Sequence, residues 1–236
     1  MSIFPNRTAC VSLEGPFSDI ENALYFSNPD RQVLSWNLPQ ELLRLGPEWN
    51  QAVTSRRQEF CAGRACAALA LDLLGSTDLS VGRARDRRPI WPRGFVGSIS
   101  HTRDFAIVII SSTDLLSSVG VDAERCVSPL LRLEIEGRVL SESERLQAPK
   151  WMSPEEFLSC AFAAKEAVYK ALNPLDNVFR DFRDLDLREL NSSGLFKVFD
   201  SKSSRTLTGT WKKFADLFVC ETSVAAEKTT RIIDVF

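Results

Sequence analysis

The spacing of apolar residues divides the chain into helices and strands. Helical spacing at residues 55–74 predicts a long helix, and a shorter one is predicted at 38–47, between proline-containing ends. Two apolar runs, 95–100 and 105–110, flank the polar turn 101–104 and predict a β-hairpin. A third strand is predicted at 118–124.

A central helix is predicted from residue 154. Residues 153–156, Ser-Pro-Glu-Glu, form a capping box with proline at the first helical position, and Asn173-Pro174 predicts the end. The apolar residues recur every three or four positions, so this stripe should face the core. Its members are Phe157, Ala161, Ala164, Val168 and Leu172.

The remaining patterns indicate an α+β protein. Further helices are predicted at 129–139 and after Ser141, and the charged segment 181–191 is either a linker or an exposed strand. Antiparallel strands are predicted at 196–199, 209–214 and 217–222. Because a helix followed by strands occurs twice, we expect an N-terminal lobe at 1–117 and a C-terminal lobe at 118–236.

Composition narrows the function classes. The chain has 236 residues, 44% hydrophobic and 25% charged, with a net charge of −2, which disfavours a general nucleic-acid binder. Six cysteines without a CxxC spacing, together with a single histidine, disfavour a zinc site and favour reduced core thiols. With neither a targeting pattern nor a membrane-length apolar stretch, we expect a soluble cytoplasmic protein with no membrane partner.

Acidic and basic side chains are predicted to meet where strand 118–124 faces the central helix. Alternation places Asp122 and Glu124 on one strand face, and Glu166 lies beside the apolar helix stripe with Lys165 and Lys170. Three carboxylates with lysines suit a hard divalent cation and a phosphate. Each piece alone is ordinary, since a Glu–Lys pair one turn apart is usually a solvated helix face.

An arginine-rich connector at 82–92 precedes the predicted hairpin. Its arginines and tryptophan leave three alternatives open: a nucleic-acid patch, a solvated loop, or a site for a phosphorylated small molecule. The last fits best with a chain that is slightly acidic overall. His101 follows in the hairpin turn, where its ring would be able to donate to a phosphate. The chain contains no Walker loop, GxGxxG or GxSxG motif, which disfavours P-loop kinases, Rossmann enzymes and α/β-hydrolases.

Five motifs in succession resemble one family. Gly-Val-Asp-Ala-Glu at 120–124 and Phe-Ala-Ala-Lys-Glu-Ala-Val-Tyr-Lys at 162–170 resemble the signature pair of the 4′-phosphopantetheinyl transferase superfamily. Three further motifs, at 56–64, 88–92 and 96–102, resemble its surfactin-type members, most closely the enterobactin synthetase component D branch. The resemblance spans residues 56 to 172, about half of the chain.

This resemblance implies a fold and a reaction. The fold would be a pseudo-dimer of two similar lobes, each a small antiparallel sheet packed with a long helix, with the active site in the cleft between them. The reaction would be Mg²⁺-dependent (Mn²⁺ is the alternative) transfer of the 4′-phosphopantetheine arm of coenzyme A to a serine of an apo carrier protein, releasing 3′,5′-ADP. The branch suggests nonribosomal peptide or siderophore synthesis, and polyketide or fatty-acid carriers stay open.

The resemblance also implies residue roles. Asp122, Glu124 and Glu166 would be metal ligands, and the catalytic groups would be Glu166, as base or through a metal-bound water, and Lys170, which would protonate the leaving group. Ala123 replaces a larger aliphatic residue of the family pattern. The coenzyme A site would include Arg56, Arg64, Arg88, Ser100 and His101, with Lys165 and Lys170 at the pyrophosphate and Asp122 and Glu166 beside it.

Two other functions stay open from the residues. One is a non-catalytic module that binds coenzyme A or a carrier protein. The other is a Mg²⁺-dependent nucleotide pyrophosphohydrolase, which would also use clustered acids and arginines. A monomer is the expected state, because two lobes of one chain would already form the cleft.

Overall fold

The computed structural model describes residues 8–14 and 54–226, with side chains from residue 59 onward. The short helix predicted at 38–47 lies outside the described residues. The helices are α1 (Thr54–Leu73), α2 (Pro129–Val139), α3 (Glu142–Leu146) and α4 (Pro154–Asp176), with a short 3₁₀ turn at Phe182–Asp184. The strands are β1 (Thr8–Glu14), β2 (Gly82–Arg83), β3 (Pro89–Ile90), β4 (Phe95–His101), β5 (Phe105–Ser112), β6 (Leu116–Arg125), β7 (Leu185–Leu190), β8 (Leu195–Asp200), β9 (Arg205–Phe214) and β10 (Leu217–Ala225).

The N-terminal half is built on a three-stranded antiparallel sheet. Its order among the described strands is β1-β5-β4, and the hairpin of β4 and β5 confirms the prediction made from the two apolar runs. The central strand β5 is apolar on both faces because both are covered. Helix α1 packs on one face through alanines and leucines such as Ala67 and Leu71.

The C-terminal half is a five-stranded antiparallel sheet crossed by α4. The strand order is β6-β10-β9-β8-β7, so the charged segment at 181–191 supplies the short 3₁₀ turn and then an outer strand. All five residues of the predicted α4 stripe are buried, which confirms that this face meets the sheet. The capping boxes at Ser141 and Ser153 are formed as predicted.

Helix α4 extends further than the sequence predicted. It passes through Pro174 and ends at Asp176, where Asn177 adopts the left-handed conformation and donates its N–H to the carbonyl of Asn173. Proline removes one backbone donor, and only two helical residues follow it, so the helix loses little by continuing. The prediction that the helix stops at Asn173-Pro174 was therefore wrong.

The two halves share a hydrophobic core and form an α+β fold. Ile107 and Ile109 of β5 pack against Val119 and Val121 of β6 and Val219 of β10, so the sheets face each other across one apolar layer. This contact sets β4 beside β6, where the site residues lie. None of the helices in the described parts of the chain is long and apolar enough to cross a membrane.

Candidate active site

A close contact between β6 and α4 organises the site. An ideal Cβ built on Gly120 would lie 1.8 Å from the carbonyl oxygen of Ala167, so only glycine allows the helix to lie this near the strand. Ser118 strengthens the contact by donating its hydroxyl to the carbonyl of Ala171. The approach brings Lys170 of α4 against Asp122, two residues after Gly120.

Lys170 and Asp122 form the central ion pair. The Lys170 Nζ lies 2.6 Å from Asp122 Oδ1 and also donates to the carbonyls of Val121 (3.2 Å) and Ile99 (3.4 Å). The Asp122 side chain is 5% exposed, whereas that of Lys170 is 28% exposed. A nearly buried carboxylate is therefore neutralised by a lysine that still reaches the surface.

Serine hydroxyls from the other half complete the surroundings of Asp122. Ser100 of β4 donates to Asp122 Oδ1 at 2.8 Å and accepts the N–H of Ala123, and Ser98 accepts the N–H of Val121. Ser100 thus lies at the seam between β4 and β6, and it is absent from the linings of both cavities described below. Asp122 Oδ2 is buried and has no hydrogen-bond partner among the described residues.

Glu124 and Glu166 interact electrostatically with the same carboxylate. Burial, followed by the charge of Asp122, raises the pKa of Glu124 to about 7 and raises that of Glu166 above its ordinary value, while Lys170 opposes both shifts. The three predicted metal ligands are therefore electrostatically coupled. They are not gathered at metal-ligand spacing, since the described residues contain no group of three acidic, histidine or cysteine side chains placed to hold an ion.

Lys165 does not join this group. Its ammonium is 1% exposed and lies 2.7 Å from Glu144, with further hydrogen bonds to the carbonyls of Val139 and Phe182. Five residues of helix separate Lys165 from Lys170, which turns their side chains about 140° apart. The predicted contact of Lys165 with a pyrophosphate is corrected here, because the side chain points into the opposite side of the C-terminal half.

A small basic cavity of about 160 Å³ opens between α1, β4 and the arginine-rich loop. Arg64, Arg83, Arg87 and His101 are among its lining residues. Arg64 stacks on the ring of Phe60, and its Nε is buried with no hydrogen-bond partner among the described residues. Burial, with a smaller effect of Arg83, lowers the pKa of Arg64 to about 10.

His101, which lines this cavity, also lies near an acid of α1. Its Nδ1 lies 3.7 Å from Glu59 Oε2, and the imidazole is 34% exposed. The predicted site residue Arg56 lies on α1 as well, but its side chain is outside the described residues. The structure therefore brings Arg64 and His101 together.

A larger cavity of about 530 Å³ adjoins the small one. Its walls include Trp91, Val96 and Val119, with Tyr169 and Lys170 contributed by α4. Arg87, Pro89 and Ile99 line both cavities, so the two are neighbours across a shared wall. The larger cavity is chiefly apolar, and the Lys170 side chain forms part of its wall.

Arg88 connects the arginine-rich loop with the end of α4. It binds Asp86 at 2.6 Å, and its other nitrogens donate to Asn173 O and Asn177 Oδ1. Arg88 also lines the larger cavity. It is not among the residues that line the small basic cavity.

Several lining residues were not identified from the sequence. Trp91 lies over Gly97, where an added Cβ would come within 2.6 Å of the indole ring. A glycine inside an apolar strand was the available signal, because such a glycine often marks close approach of another group. The roles of Ser98 and Tyr169 had no comparable signal, whereas Arg83 belongs to the arginine-rich connector that was predicted to bind a phosphorylated molecule.

Comparison with known protein families gives two matches along the chain. The model of the 4′-phosphopantetheinyl transferase N-terminal domain matches residues 40–111, and that of the 4′-phosphopantetheinyl transferase superfamily matches residues 118–223. The second match contains Asp122, Glu124, Glu166 and Lys170.

Individual relatives agree with these matches. The 4′-phosphopantetheinyl transferase PptT of Mycobacterium tuberculosis is 31% identical over 198 residues, covering 82% of this chain and 83% of that protein. The 4′-phosphopantetheinyl transferase Svp of Streptomyces mobaraensis is 29% identical over 87% of this chain and 85% of its own length. Enterobactin synthase component D of Salmonella typhi is 38% identical, but the alignment covers only 50% of this chain and 49% of that protein. By its family matches and its long alignment with PptT, the chain belongs to the 4′-phosphopantetheinyl transferase superfamily and is an enzyme of that kind.

Proposed function

We propose that the chain transfers the 4′-phosphopantetheine arm of coenzyme A to a serine of an apo carrier protein and releases 3′,5′-ADP. The observation that carries this proposal is the position of the Asp122–Lys170 pair. Lys170 of this pair lines a large, chiefly apolar cavity that adjoins a small basic one. Coenzyme A has a matching division, with a phosphorylated nucleotide at one end and an uncharged arm at the other.

The two cavities suit the two ends of coenzyme A. The arginines of the small cavity, with the unpartnered Nε of Arg64, suit the phosphorylated adenosine. The larger cavity, walled by Trp91, Val96 and Val119, suits the pantetheine arm. The pyrophosphate would then lie between them, near Lys170.

The donor type of the three carboxylates, although not their present spacing, suits a magnesium ion, with manganese as an alternative. Oxygen donors from Asp122, Glu124 and Glu166 are the type that these cations prefer, and the unpartnered Oδ2 of Asp122 is a buried acceptor that a cation would satisfy. When bound, the ion would supply neutralisation of the pyrophosphate charge. The assignment of Glu124 and Glu166 as ligands follows the family motif.

Transfer requires one P–O bond to form and another to break. The carrier serine oxygen attacks the β-phosphorus of coenzyme A, and the bridging bond to the 3′,5′-ADP oxygen breaks in line. Glu166 is the proposed base for the serine proton, because burial makes its carboxylate more basic than usual. Lys170 is the proposed donor of a proton to the leaving phosphate, so the proton count balances.

The carrier is proposed to belong to a nonribosomal peptide or siderophore pathway. This rests on the similarity to enterobactin synthase component D and does not come from the site itself.

We also propose that the protein is a cytoplasmic monomer with an N-terminal lobe at 1–117 and a C-terminal lobe at 118–236. One chain supplies both sides of the cavities in the described residues, which supports the monomer.

Intact-mass analysis of apo carrier domains tests the proposal. Peptidyl, aryl and acyl carriers are each incubated with the protein, coenzyme A and Mg²⁺, with a chelator as control. We expect a metal-dependent gain of one phosphopantetheine arm on at least one carrier, lost with Asp122→Ala and Glu166→Ala proteins that remain folded. Binding of coenzyme A without any gain would identify a binding module, and cleavage without a carrier would identify a pyrophosphohydrolase.

The position of the nucleotide end is tested separately. His101→Ala should weaken coenzyme A binding in calorimetry several-fold, because a ring that lines the basic cavity is removed. Unchanged affinity would place the nucleotide elsewhere.

A further inference from the structure

The Lys170 ammonium uses all of its hydrogen-bond donors inside the protein. A protonated lysine has three N–H groups, and here the acceptors are Asp122 Oδ1, Val121 O and Ile99 O. Two of these acceptors belong to β6 and the third to β4. The ammonium is therefore held by acceptors of two strands, although the side chain is still 28% exposed.

Asp122 is satisfied on one oxygen only. Oδ1 accepts from Lys170 at 2.6 Å and from Ser100 at 2.8 Å, whereas the buried Oδ2 has no hydrogen-bond partner among the described residues. An unpartnered buried carboxylate oxygen is costly, and the adjacent ammonium offsets part of that cost. The same ammonium would repel a second cation that approached Oδ2.

We propose that Lys170 is a resident counter-ion of Asp122, which keeps a divalent cation off this carboxylate until a pyrophosphate-bearing ligand draws the ammonium away. This inference rests on the proposed function, which makes Asp122 a metal ligand. It goes beyond that function because it gives the lysine a role before any chemistry and makes metal binding dependent on the nucleotide.

The position of Lys170 allows such an exchange. Its side chain lines the larger cavity as well as contacting Asp122, and it is 28% exposed while Asp122 is 5% exposed. An anion in the cavity would compete with Asp122 for the flexible ammonium. Because binding coupling is reciprocal, coenzyme A would raise the affinity for the cation and the cation would raise the affinity for coenzyme A by the same factor.

Manganese binding without coenzyme A tests the inference. Free Mn²⁺ is measured by electron paramagnetic resonance for the wild type, Lys170→Met and Lys202→Met. Lys202 pairs with Asp184 at 3.2 Å on the surface, so its substitution removes the same charge at another place. We expect Lys170→Met to bind Mn²⁺ about tenfold or more tightly than the wild type, and Lys202→Met to match the wild type.

Further variants separate repulsion from other effects. Lys170→Arg keeps a cation and should keep Mn²⁺ binding weak, whereas adding Asp122→Asn to Lys170→Met should remove the gained affinity. With coenzyme A present, and Mn²⁺ binding to coenzyme A subtracted in a protein-free control, the wild type should gain more affinity than Lys170→Met. Thermal melting confirms that each variant is folded.

The inference is overturned if folded Lys170→Met binds Mn²⁺ no more tightly than the wild type does. It is equally overturned if neither protein binds Mn²⁺ detectably. It is also overturned if Lys202→Met gains as much, because the effect would then come from net charge. Failure of the proposed function is distinguishable, since it appears as no transfer by the wild type to any carrier, whatever the Mn²⁺ affinities are.

Discussion

At the scale of single residues, the site contains a carboxylate, Glu124, whose ionised form opposes folding. The pKa of Glu124 is raised to about 7 by burial and by Asp122. Between the ordinary value near 4.5 and this value, the folded state binds more protons than the unfolded state. The free energy of unfolding therefore falls as pH rises through this window.

Glu124→Gln should remove that loss. In buffer that contains a metal chelator, the free energy of unfolding of Glu124→Gln should be about 1 to 3 kcal/mol higher than that of the wild type at pH 8. The difference should vanish near pH 4.5, where the wild-type carboxyl is protonated in the folded state. Urea titrations at several pH values provide the measurement. Glu189→Gln, which removes an exposed carboxylate paired with Lys197, should give no gain at pH 8. A pH-independent difference for Glu124→Gln would contradict the prediction.

Lys165 offers a second test at this scale, because its partner is buried with it. Lys165→Met would leave the Glu144 carboxylate, 2% exposed, without its cation. We expect a loss of about 3 to 5 kcal/mol in unfolding free energy by urea titration. Adding Glu144→Gln should restore part of this stability, since the isolated buried charge is then absent.

The same variant separates structural from ligand-binding roles. In the described parts of the chain, the acceptors of Lys165 all belong to its own half, so the folded Lys165→Met protein should bind coenzyme A with wild-type affinity. A large loss of affinity in a protein that is still folded would return Lys165 to the pyrophosphate site.

The contrast between Lys165 and Lys170 shows where prediction from sequence ends. Both lysines flank the apolar stripe of α4, and helical spacing correctly predicts that stripe. Lys170 meets Asp122 through the close contact of β6 and α4, whereas Lys165 pairs with Glu144. The capping of Ser141 by Glu144 was predicted, but its contact with Lys165 comes from packing between distant segments. Local sequence patterns predict the helices and strands. Side-chain partners that lie 20 or more residues apart in the sequence can be identified only once the fold is known.

At the scale of elements, the contact between β6 and α4 determines the distance between Asp122 and Lys170. Gly120→Ala would place a Cβ 1.8 Å from the Ala167 carbonyl, a backbone atom that cannot rotate away. We expect a loss of about 3 kcal/mol or more in stability, at the upper end of the cost of overpacking. Separation of the helix from the strand should also reduce transfer activity in the protein that remains folded.

Gly137→Ala is the matched control for this substitution. Among the described residues, no atom other than those of the neighbouring residues and the α2 backbone lies within 4 Å of a Cβ added at Gly137, and alanine is the better helix former. Its stability by urea titration should equal or exceed that of the wild type by about 0.5 to 1 kcal/mol. Equal stability of Gly120→Ala and the wild type would mean that the helix can move outward without cost.

At the scale of the whole molecule, the two halves are joined by an apolar layer and by serine hydroxyls. Strands β5, β6 and β10 share the apolar layer, and Ser98 and Ser100 accept backbone N–H groups of β6. The family resemblance predicted two lobes and a cleft. It did not identify this seam, because hydroxyl contacts between strands of different sheets have no sequence period.

Ser98→Ala should weaken the seam and, with it, the whole molecule. The Val121 N–H would lose its buried acceptor, which costs about 1 to 3 kcal/mol. Because the apolar layer makes the halves interdependent, calorimetry should record a single unfolding transition lowered by several degrees. Ser117→Ala, which removes an exposed hydroxyl bonded to Ala225 O, should change the midpoint little. If calorimetry instead recorded two transitions and the substitution lowered the midpoint of only one, the two halves would unfold independently.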